Sequence, residues 1–337
     1  MILKHSLCAL AALSCAAAEE AGTPIIGGQA VMGGVLMRSG SMCSLAVRRP
    51  SGEITVERRG WRSMAPQSLR GRRFLRGFPI LVETMANGVR ALNRSAELAA
   101  GDGEERLSGG AVALALVLSF ALAIGLFVAA PHLLAAGMDR LGLGGGMEGL
   151  SFHAWAGLFK FGIFVAYIVL VSLLPDIRAV FEYHGAEHKT IHAFEGPGPV
   201  TVETARAGSR LHPRCGTTFM LFVLGAAILL HAVLVPALLL VWHPESAVVR
   251  HAGVICFKIL LIVPISSLAY ELIRSSASMK GFWAGVLRAP GLFLQRLTTR
   301  EPDDGQLEVA IASLRGALDE GSPLLARFET AENKVEE

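Results

Sequence analysis

The stretch that decides the fold is residues 216–242, GTTFMLFVLGAAILLHAVLVPALLLVW, which contains no Asp, Glu, Lys or Arg. A helix needs about 20 mostly apolar residues to cross a hydrocarbon core about 30 Å thick. Three further stretches meet this requirement, at residues 110–134, 153–174 and 251–273. The 337 residues are 52% hydrophobic and only 18% charged, with a mean hydropathy of +0.50. The sequence therefore predicts an all-α helical membrane protein with about four transmembrane helices.

The distribution of basic residues predicts how the helices are oriented. Residues 38–107 contain 13 Arg, residues 175–215 contain five Lys plus Arg, and residues 273–337 contain eight, whereas residues 136–151 contain only Arg140. Because cytoplasmic segments are enriched in Lys and Arg, we expect both termini and residues 175–215 to face the cytoplasm. The lipid bilayer is the expected partner. The arginine excess favours anionic lipid headgroups, although fixing the topology is a sufficient role for it; nothing indicates a nucleic-acid partner, and no protein partner is identified.

Residues 1–24 resemble a secretory signal peptide. Lys4 precedes a short apolar run at residues 7–13, and small residues follow at 15–18. Cleavage after these residues would place the arginine-rich segment on the outer side of the membrane, although basic segments are normally cytoplasmic. Three explanations stay open: an uncleaved or misassigned start, a true signal, or the beginning of an organelle-targeting leader in a eukaryotic source.

The segments outside the spans predict a small cytoplasmic α+β cap. Residues 25–108 should contain a β-hairpin at 42–58, turning at Pro50-Ser51-Gly52, and an amphipathic helix at 74–98. That helix either lies at the membrane surface or packs against the hairpin or the helical bundle. The glycines of residues 25–38 indicate backbone that bends or is closely approached. Residues 109–174 and 216–273 would hold two spans each, and residues 274–337 a tail with a helix capped by Asp303 and Asp304.

Residues 175–215 carry the side chains with the clearest chemistry. On a helix, His184 and His188 project from one face, with His192 one turn further and Glu195 three residues beyond. The order His-x-x-Glu-His at 184–188 matches the inverted zinc-protease signature, in which both histidines bind Zn²⁺ and the glutamate activates water. His212 and Cys215 supply further nitrogen and sulfur donors. The sequence therefore predicts a site for a divalent transition metal, with Zn²⁺ the expected ion.

Several roles for these residues remain open. A structural site would use four ligands, such as His184, His188, His212 and Cys215, whereas a catalytic site would use three and keep one position open. Glu187 is a candidate general base, a carboxylate that orients a histidine, or a partner of Lys189 or Arg214. His192 and Glu195 are reserve ligands for a two-metal site. Alternatively, these polar residues simply satisfy helix ends at the membrane interface.

Five short motifs resemble the YqhQ-like family, a largely bacterial group of unknown function. They are residues 27–32 (GGQAVM), 34–38 (GVLMR), 182–190 (EYHGAEHKT), 211–217 (LHPRCGT) and 289–292 (APGL). The resemblance extends from residue 25 to residue 318. It implies a multi-spanning protein of the bacterial plasma membrane, often labelled a predicted metal-dependent enzyme; in a eukaryotic source, an organelle membrane is the alternative. One departure is Gly33, where the family pattern leads us to expect an acidic residue.

Taken together, these features make a metal-dependent hydrolase at the cytoplasmic membrane face the leading hypothesis. His184, His188 and one of His212 or Cys215 would hold the metal, and Glu187 would take a proton from water. The bond cleaved could belong to a peptide, a lipid ester or a phosphoester. The alternatives are a membrane scaffold or assembly factor with a closed, structural metal site, and a transporter, which would need a wet central path lined by Lys258.

Overall fold

The computed structural model describes residues 24–64, 67–100, 109–279 and 281–329, so the predicted leader lies almost wholly outside the described residues. The chain begins with a four-stranded antiparallel sheet in the order β1 (Ile26–Val31), β2 (Gly34–Ser39), β3 (Met42–Arg48) and β4 (Ile54–Gly60). The predicted hairpin is confirmed as β3 and β4. The hairpin is only half of the sheet, however. Strands β1 and β2 form from the glycine-rich residues 25–38, for which the sequence predicted bent or closely approached backbone and not strands.

The helices follow the sheet. Their bounds are α1 Gln67–Arg70, α2 Gly77–Ala100, α3 Gly109–Arg140 with a π-helical turn at Gly125–Ala129, α4 Leu150–Val171, α5 Pro175–Glu195, α6 Val202–Ala207, α7 Gly216–Leu239, α8 Ala247–Leu260, α9 Ile262–Ser278, α10 Phe282–Thr298, α11 Asp304–Ala317, and α12 Ala326–Glu329 after a 3₁₀ turn at Pro323–Leu325.

Four of these helical stretches are long and apolar enough to cross a membrane: Gly109–Arg140, Leu150–Val171, Gly216–Leu239 and Ala247–Ser276. They coincide with the four predicted spans. The last consists of α8 and α9, which meet at Leu261. The described chain is therefore mostly helical, with a sheet larger than the predicted hairpin.

Apolar residues cover both faces of the sheet. Val35 and Ala46 face a core shared with α5 and α11, whereas Leu36 and Leu45 face Ala91 and neighbouring residues of α2. Alternate side chains of a strand point to opposite faces, so a strand buried on both sides is apolar almost throughout. The turn between β1 and β2 contains Gly33, whose φ of +64° is a conformation that favours glycine. A glycine at this position therefore suits the turn.

The amphipathic helix predicted at 74–98 is α2, and it packs on both the sheet and the fourth candidate span. Gly77 lies so close to Ser267 of α9 that a Cβ would come within 2.7 Å of the Ser267 Cα. The guanidinium of Arg76 pairs with the Glu271 carboxylate at 2.7 Å, and both side chains are largely buried. These contacts connect the sheet to the helical bundle.

Residues 175–215, in which the sequence analysis placed the histidines on one face of a helix, are largely helical. They contain the 21-residue helix α5 and the short helix α6. Pro175 and Asp176 occupy the first turn of α5, where proline's missing N–H is harmless and a carboxylate favours the positive end of the helix dipole. The helix ends at Glu195, directly before Gly196 and Pro197.

The tail contains one predicted helix and one that the sequence did not indicate. The predicted cap of α11 is confirmed, since the Asp303 carboxylate accepts a hydrogen bond from the Gln306 backbone N–H at 2.7 Å. Helix α10 was missed because Pro290 lies inside it and glycines surround that proline. Proline at this position breaks the sequence pattern by which a helix is identified.

Candidate metal centre

Helix α5 supplies most of the predicted site residues. His184, His188, His192 and Glu195 follow one another along the helix at spacings of four, four and three residues, and so share a face. The opposite side of α5 packs through Ala186, Ile191 and Phe194 into the core with the sheet and α11. The segment between α6 and α7 runs alongside the ligand-bearing face and contributes His212 and Cys215. Because one face of α5 is buried in this core, the ligand-bearing face is turned toward the segment that contains His212 and Cys215.

A first group of candidate ligands consists of His184, His188 and Cys215, whose nearest ligand atoms all lie within 4.8 Å of one another. The Nδ1–H of His184 donates to the carbonyl of Thr298 at 2.8 Å, and the Nδ1–H of His188 donates to the carbonyl of Arg210 at 2.6 Å. Each ring is thereby held in the tautomer that presents an unprotonated Nε2. The His184 Nε2 lies 3.1 Å from the Cys215 Sγ, and the buried His188 Nε2 has no hydrogen-bond partner among the described residues.

A second group consists of His192, Glu195 and His212, again with ligand atoms within 4.8 Å of one another. Glu195 forms a direct ion pair with Arg214, and its other oxygen lies 3.6 Å from the His212 Nε2. The Arg214 backbone N–H donates to the His212 Nδ1 at 3.3 Å, so the neutral ring carries its hydrogen on Nε2. A positive guanidinium on the carboxylate makes this group less suited to a cation than the first.

The six predicted ligands thus form two adjoining groups rather than one set of four around a point. The rings of His184, His188, His212 and His192 form a row, with consecutive centroids 4.5, 5.7 and 4.9 Å apart. His212, which the sequence offered as a partner of Cys215, belongs to the second group in this arrangement.

Glu187 lies next to the first group and is almost fully buried. A Cβ at position 28 would come within 2.7 Å of the Glu187 Cγ, so Gly28 of β1 leaves the space that this side chain occupies. The close approach to glycine backbone that the sequence indicated is therefore present here. The Glu187 carboxylate makes no hydrogen bond with the described residues. Burial raises the pKa of Glu187 to about 8, and the nearby His184 only partly opposes this effect.

Burial also favours the neutral form of three of the site histidines. It lowers the pKa of His188, and it lowers the pKa values of His192 and His212 to about 4 each. Burial alone would raise the pKa of the Cys215 thiol, but the His188 imidazole and the Thr217 hydroxyl outweigh burial, so that the pKa falls below its ordinary value. Cys215 also immediately precedes helix α7, where the helix dipole favours a thiolate. Neutral imidazoles and a thiolate are the forms that bind metals.

Helix α10 supports the site through residues that the sequence analysis missed. Gln295 is fully buried; its Oε1 accepts from the His212 backbone N–H and its Nε2 donates to the His212 carbonyl, both at 2.8 Å. Thr298 supplies the carbonyl that anchors His184, and Gly185 leaves space for the backbone of Arg300. Backbone carbonyls carry no side-chain signature, and Gln295 lies 83 residues from His212. No local pattern could have linked them.

These features define a class of helical protein with four candidate membrane spans, an amino-terminal sheet, and a His/Cys/Glu cluster at the junction between them. The chain belongs to the family described as "Protein of unknown function (DUF1385)", which matches residues 73–320. It is 33% identical over 310 residues to a protein of Bacillus subtilis (strain 168) named "Uncharacterized protein YqhQ", an alignment covering 88% of this chain and 92% of that protein. The resemblance to the YqhQ-like family is thereby confirmed. No solved structure matches the chain.

Proposed function

We propose that this protein is a metal-dependent hydrolase of a bacterial membrane, with His184, His188 and Cys215 holding Zn²⁺ and Glu187 handling the proton. The observation that carries the proposal is the pair of histidines whose Nδ1–H groups are bound to backbone carbonyls, which turns both Nε2 atoms toward the Cys215 sulfur. Metal-binding histidines almost always donate their other N–H to a carbonyl or carboxylate in this way.

The residues present fit a zinc ion. Imidazole nitrogens and thiolate sulfur are the donors that Zn²⁺ prefers, and three protein ligands leave a fourth position open, as at catalytic zinc sites. The buried His188 Nε2 has no described hydrogen-bond partner, which is costly for a polar atom unless a ligand satisfies it. A bound cation would remove this cost.

In the proposed reaction, the ion would supply Lewis acidity and the protein would transfer the proton. When bound, Zn²⁺ supplies Lewis acidity, which polarises a substrate oxygen and lowers the pKa of water to about 7. Glu187 is the group that accepts and returns the proton. Its raised pKa keeps that proton exchangeable near neutral pH, because a general base works best when its pKa is close to the working pH. The thiolate and the carbonyl-anchored rings hold their positions throughout.

A structural metal site is the second candidate, and burial of the ligands favours it. His188 is 1% exposed and Cys215 is 8% exposed, whereas His184 is partly accessible. A closed site would join α5 to the segment before α7 and fasten the sheet to the spans. In that case Glu187 would be a buried carboxylate that adjusts the charge of the site, with no role in turnover.

Metal content is the first test. The detergent-purified wild type should contain about one zinc per chain, and both His188→Ala and Cys215→Ala should lose it. His243→Ala and Cys256→Ala are the matched controls, because both residues are exposed and lie outside the two groups. Wild-type protein that contains no transition metal, although the variants and controls fold normally, would rule out both the hydrolase and the structural site.

A second experiment separates the enzyme from the structural site. Glu187→Gln keeps the shape of the side chain but cannot take a proton. For a hydrolase, this variant should retain zinc and lose about 10²- to 10⁴-fold in activity against whichever of a peptide, a lipid ester or a phosphoester the wild type cleaves. Zinc retained by both the wild type and Glu187→Gln, with none of these three substrates cleaved by the wild type, would favour the structural role.

The membrane setting is part of the same proposal. Four candidate spans and a bacterial relative are consistent with a bacterial membrane protein. We infer that both termini and the metal centre face the cytoplasm and that the arginine-rich segment before the first span contacts anionic lipid headgroups. Protease protection of the carboxyl-terminal tail in inside-out vesicles would contradict this orientation.

A further inference from the structure

A small polar cavity lies among the four candidate spans, away from the metal centre. Its polar lining comes from every span: His132 of α3, His153 and Lys160 of α4, His231 of α7 and Lys258 of α8. Its volume is about 10 Å³, which leaves room for a single small group. On α4, the buried apolar residues Phe164 and Ile168 follow Lys160 toward the end that carries the metal centre.

The two lysines of this cavity lack the partners that buried charges require. Lys160 is 8% exposed and Lys258 is 3% exposed, and each lies roughly 15 Å from the start of its helix, near the middle of a span. Neither makes an ion pair among the described residues, and no carboxylate lines the cavity. Charged side chains at this depth are costly and normally face a partner or a ligand.

Lys258 is held by a short chain of hydrogen bonds. Its Nζ donates to the His132 Nδ1 at 3.0 Å, and the His132 Nε2–H donates to the His251 Nδ1 at 2.9 Å. His251 is half-buried at the start of α8, so the chain leads from the cavity toward the end of the bundle opposite the metal centre. Lys258 is therefore fixed in place with two further N–H groups to offer.

The balance of donors and acceptors indicates what the cavity binds. Lys160 contributes three N–H donors and Lys258 two, none with an acceptor among the described residues. The His153 Nδ1 and the His231 Nε2 are the buried lining atoms without a partner, and a neutral ring offers at most one acceptor there. Donors therefore outnumber acceptors. A water molecule donates as well as accepts and would not correct this imbalance, whereas an anion only accepts.

We propose that this cavity is a binding site for one small monovalent anion of the halide class, held between Lys160 and Lys258. A volume of about 10 Å³ favours a monatomic anion over sulfate, phosphate or a lipid headgroup. The anion compensates buried positive charge within the spans and takes the N–H donors that the protein leaves unused. The site is separate from the metal centre and does not depend on the proposed hydrolase function.

The test is equilibrium dialysis of the full-length, detergent-purified protein against radioactive chloride, in a buffer whose other anion is gluconate. The wild type should bind about one chloride per chain, competed by bromide but not by sulfate. Lys258→Met should weaken chloride binding about tenfold to hundredfold, since it removes charged donors. Arg274→Met is the matched control, because it removes the same charge from an exposed position. If Lys258→Met does not fold, Lys160→Met takes its place.

The metal centre needs its own control, since chloride can also bind zinc. Chloride binding should persist in His188→Ala, which removes a candidate metal ligand but leaves the cavity intact. The proposal is overturned if the wild type binds substantially less than one chloride, if both lysine variants bind as tightly as the wild type, or if binding disappears in His188→Ala. Protein stability that responds to pH but not to halide would likewise overturn it, in favour of uncharged lysines.

Discussion

Replacing Gly185 by alanine should both destabilise this protein and weaken metal binding, although the same change in an open helix position is favourable. Gly185 lies on α5 between the site residues, and a Cβ there would overlap the carbonyl oxygen of Arg300 and lie 3.3 Å from the Pro302 Cδ. The obstacle is backbone, so no side-chain rotation relieves it. To reach an ordinary contact distance, this carbonyl would have to retreat by more than about 1 Å, a displacement large enough to disrupt a functional site.

Two hydrogen bonds depend on this close approach. The Arg300 N–H donates to the Phe181 carbonyl at 2.8 Å, and the His184 Nδ1–H donates to the Thr298 carbonyl at 2.8 Å. Forcing extra volume into a packed contact costs about 1–3 kcal/mol, against which alanine returns about 0.5–1 kcal/mol of helix propensity. We expect net destabilisation of up to about 2.5 kcal/mol. Loss of the anchor on His184 should weaken zinc binding about 10- to 100-fold.

The control is Gly225→Ala, in the interior of α7, where a new Cβ meets nothing within 4 Å. Free energies of unfolding would be measured by denaturation in detergent and zinc affinities by competition with a coloured chelator. Gly225→Ala should be as stable as the wild type or slightly more stable, with unchanged zinc affinity. If Gly185→Ala behaved in the same way, the packing of α5 against residues 298–302 would not hold His184, and the reasoning would fail.

Three further predictions concern stability. Free zinc at 100 times its dissociation constant should raise the free energy of unfolding by about 2.7 kcal/mol relative to protein from which a chelator has removed the zinc. His188→Ala should abolish this rise. Gln295→Leu removes both hydrogen bonds to the His212 backbone and should lower the free energy of unfolding by about 1–3 kcal/mol; an unchanged denaturation midpoint would contradict this. The hydrogen bond from Arg94 lowers the pKa of Glu57 below its ordinary 4.5, so this carboxylate stabilises the fold above that pH and loses its effect as pH falls through the folded-state pKa. Glu57→Gln should therefore be less stable than the wild type at pH 7, and the difference should disappear in acid.

The sequence alone determined the features that arise from local periodicity and chemistry. Long, mostly apolar runs predicted all four candidate spans, because the length of a span is a property of one segment. The turn at Pro50-Ser51-Gly52 predicted β3 and β4, and Asp303 predicted the start of α11. The spacing of His184 and His188 placed both rings on one helical face. Each inference needed only residues within a few turns of one another.

Only the tertiary structure decided how these pieces meet. It separated the six candidate ligands into two groups, because the segment before α7 brings Cys215 beside His184 and leaves His212 beside Glu195. It also identified β1, β2 and α10, whose glycines and proline obscure their patterns. The carbonyls that orient the histidines lie far from them in the sequence, and the lining of the cavity comes from four separate candidate spans. Both features therefore arise from contacts between distant parts of the chain. Such contacts depend on how whole elements pack, and neither residue spacing nor composition specifies them.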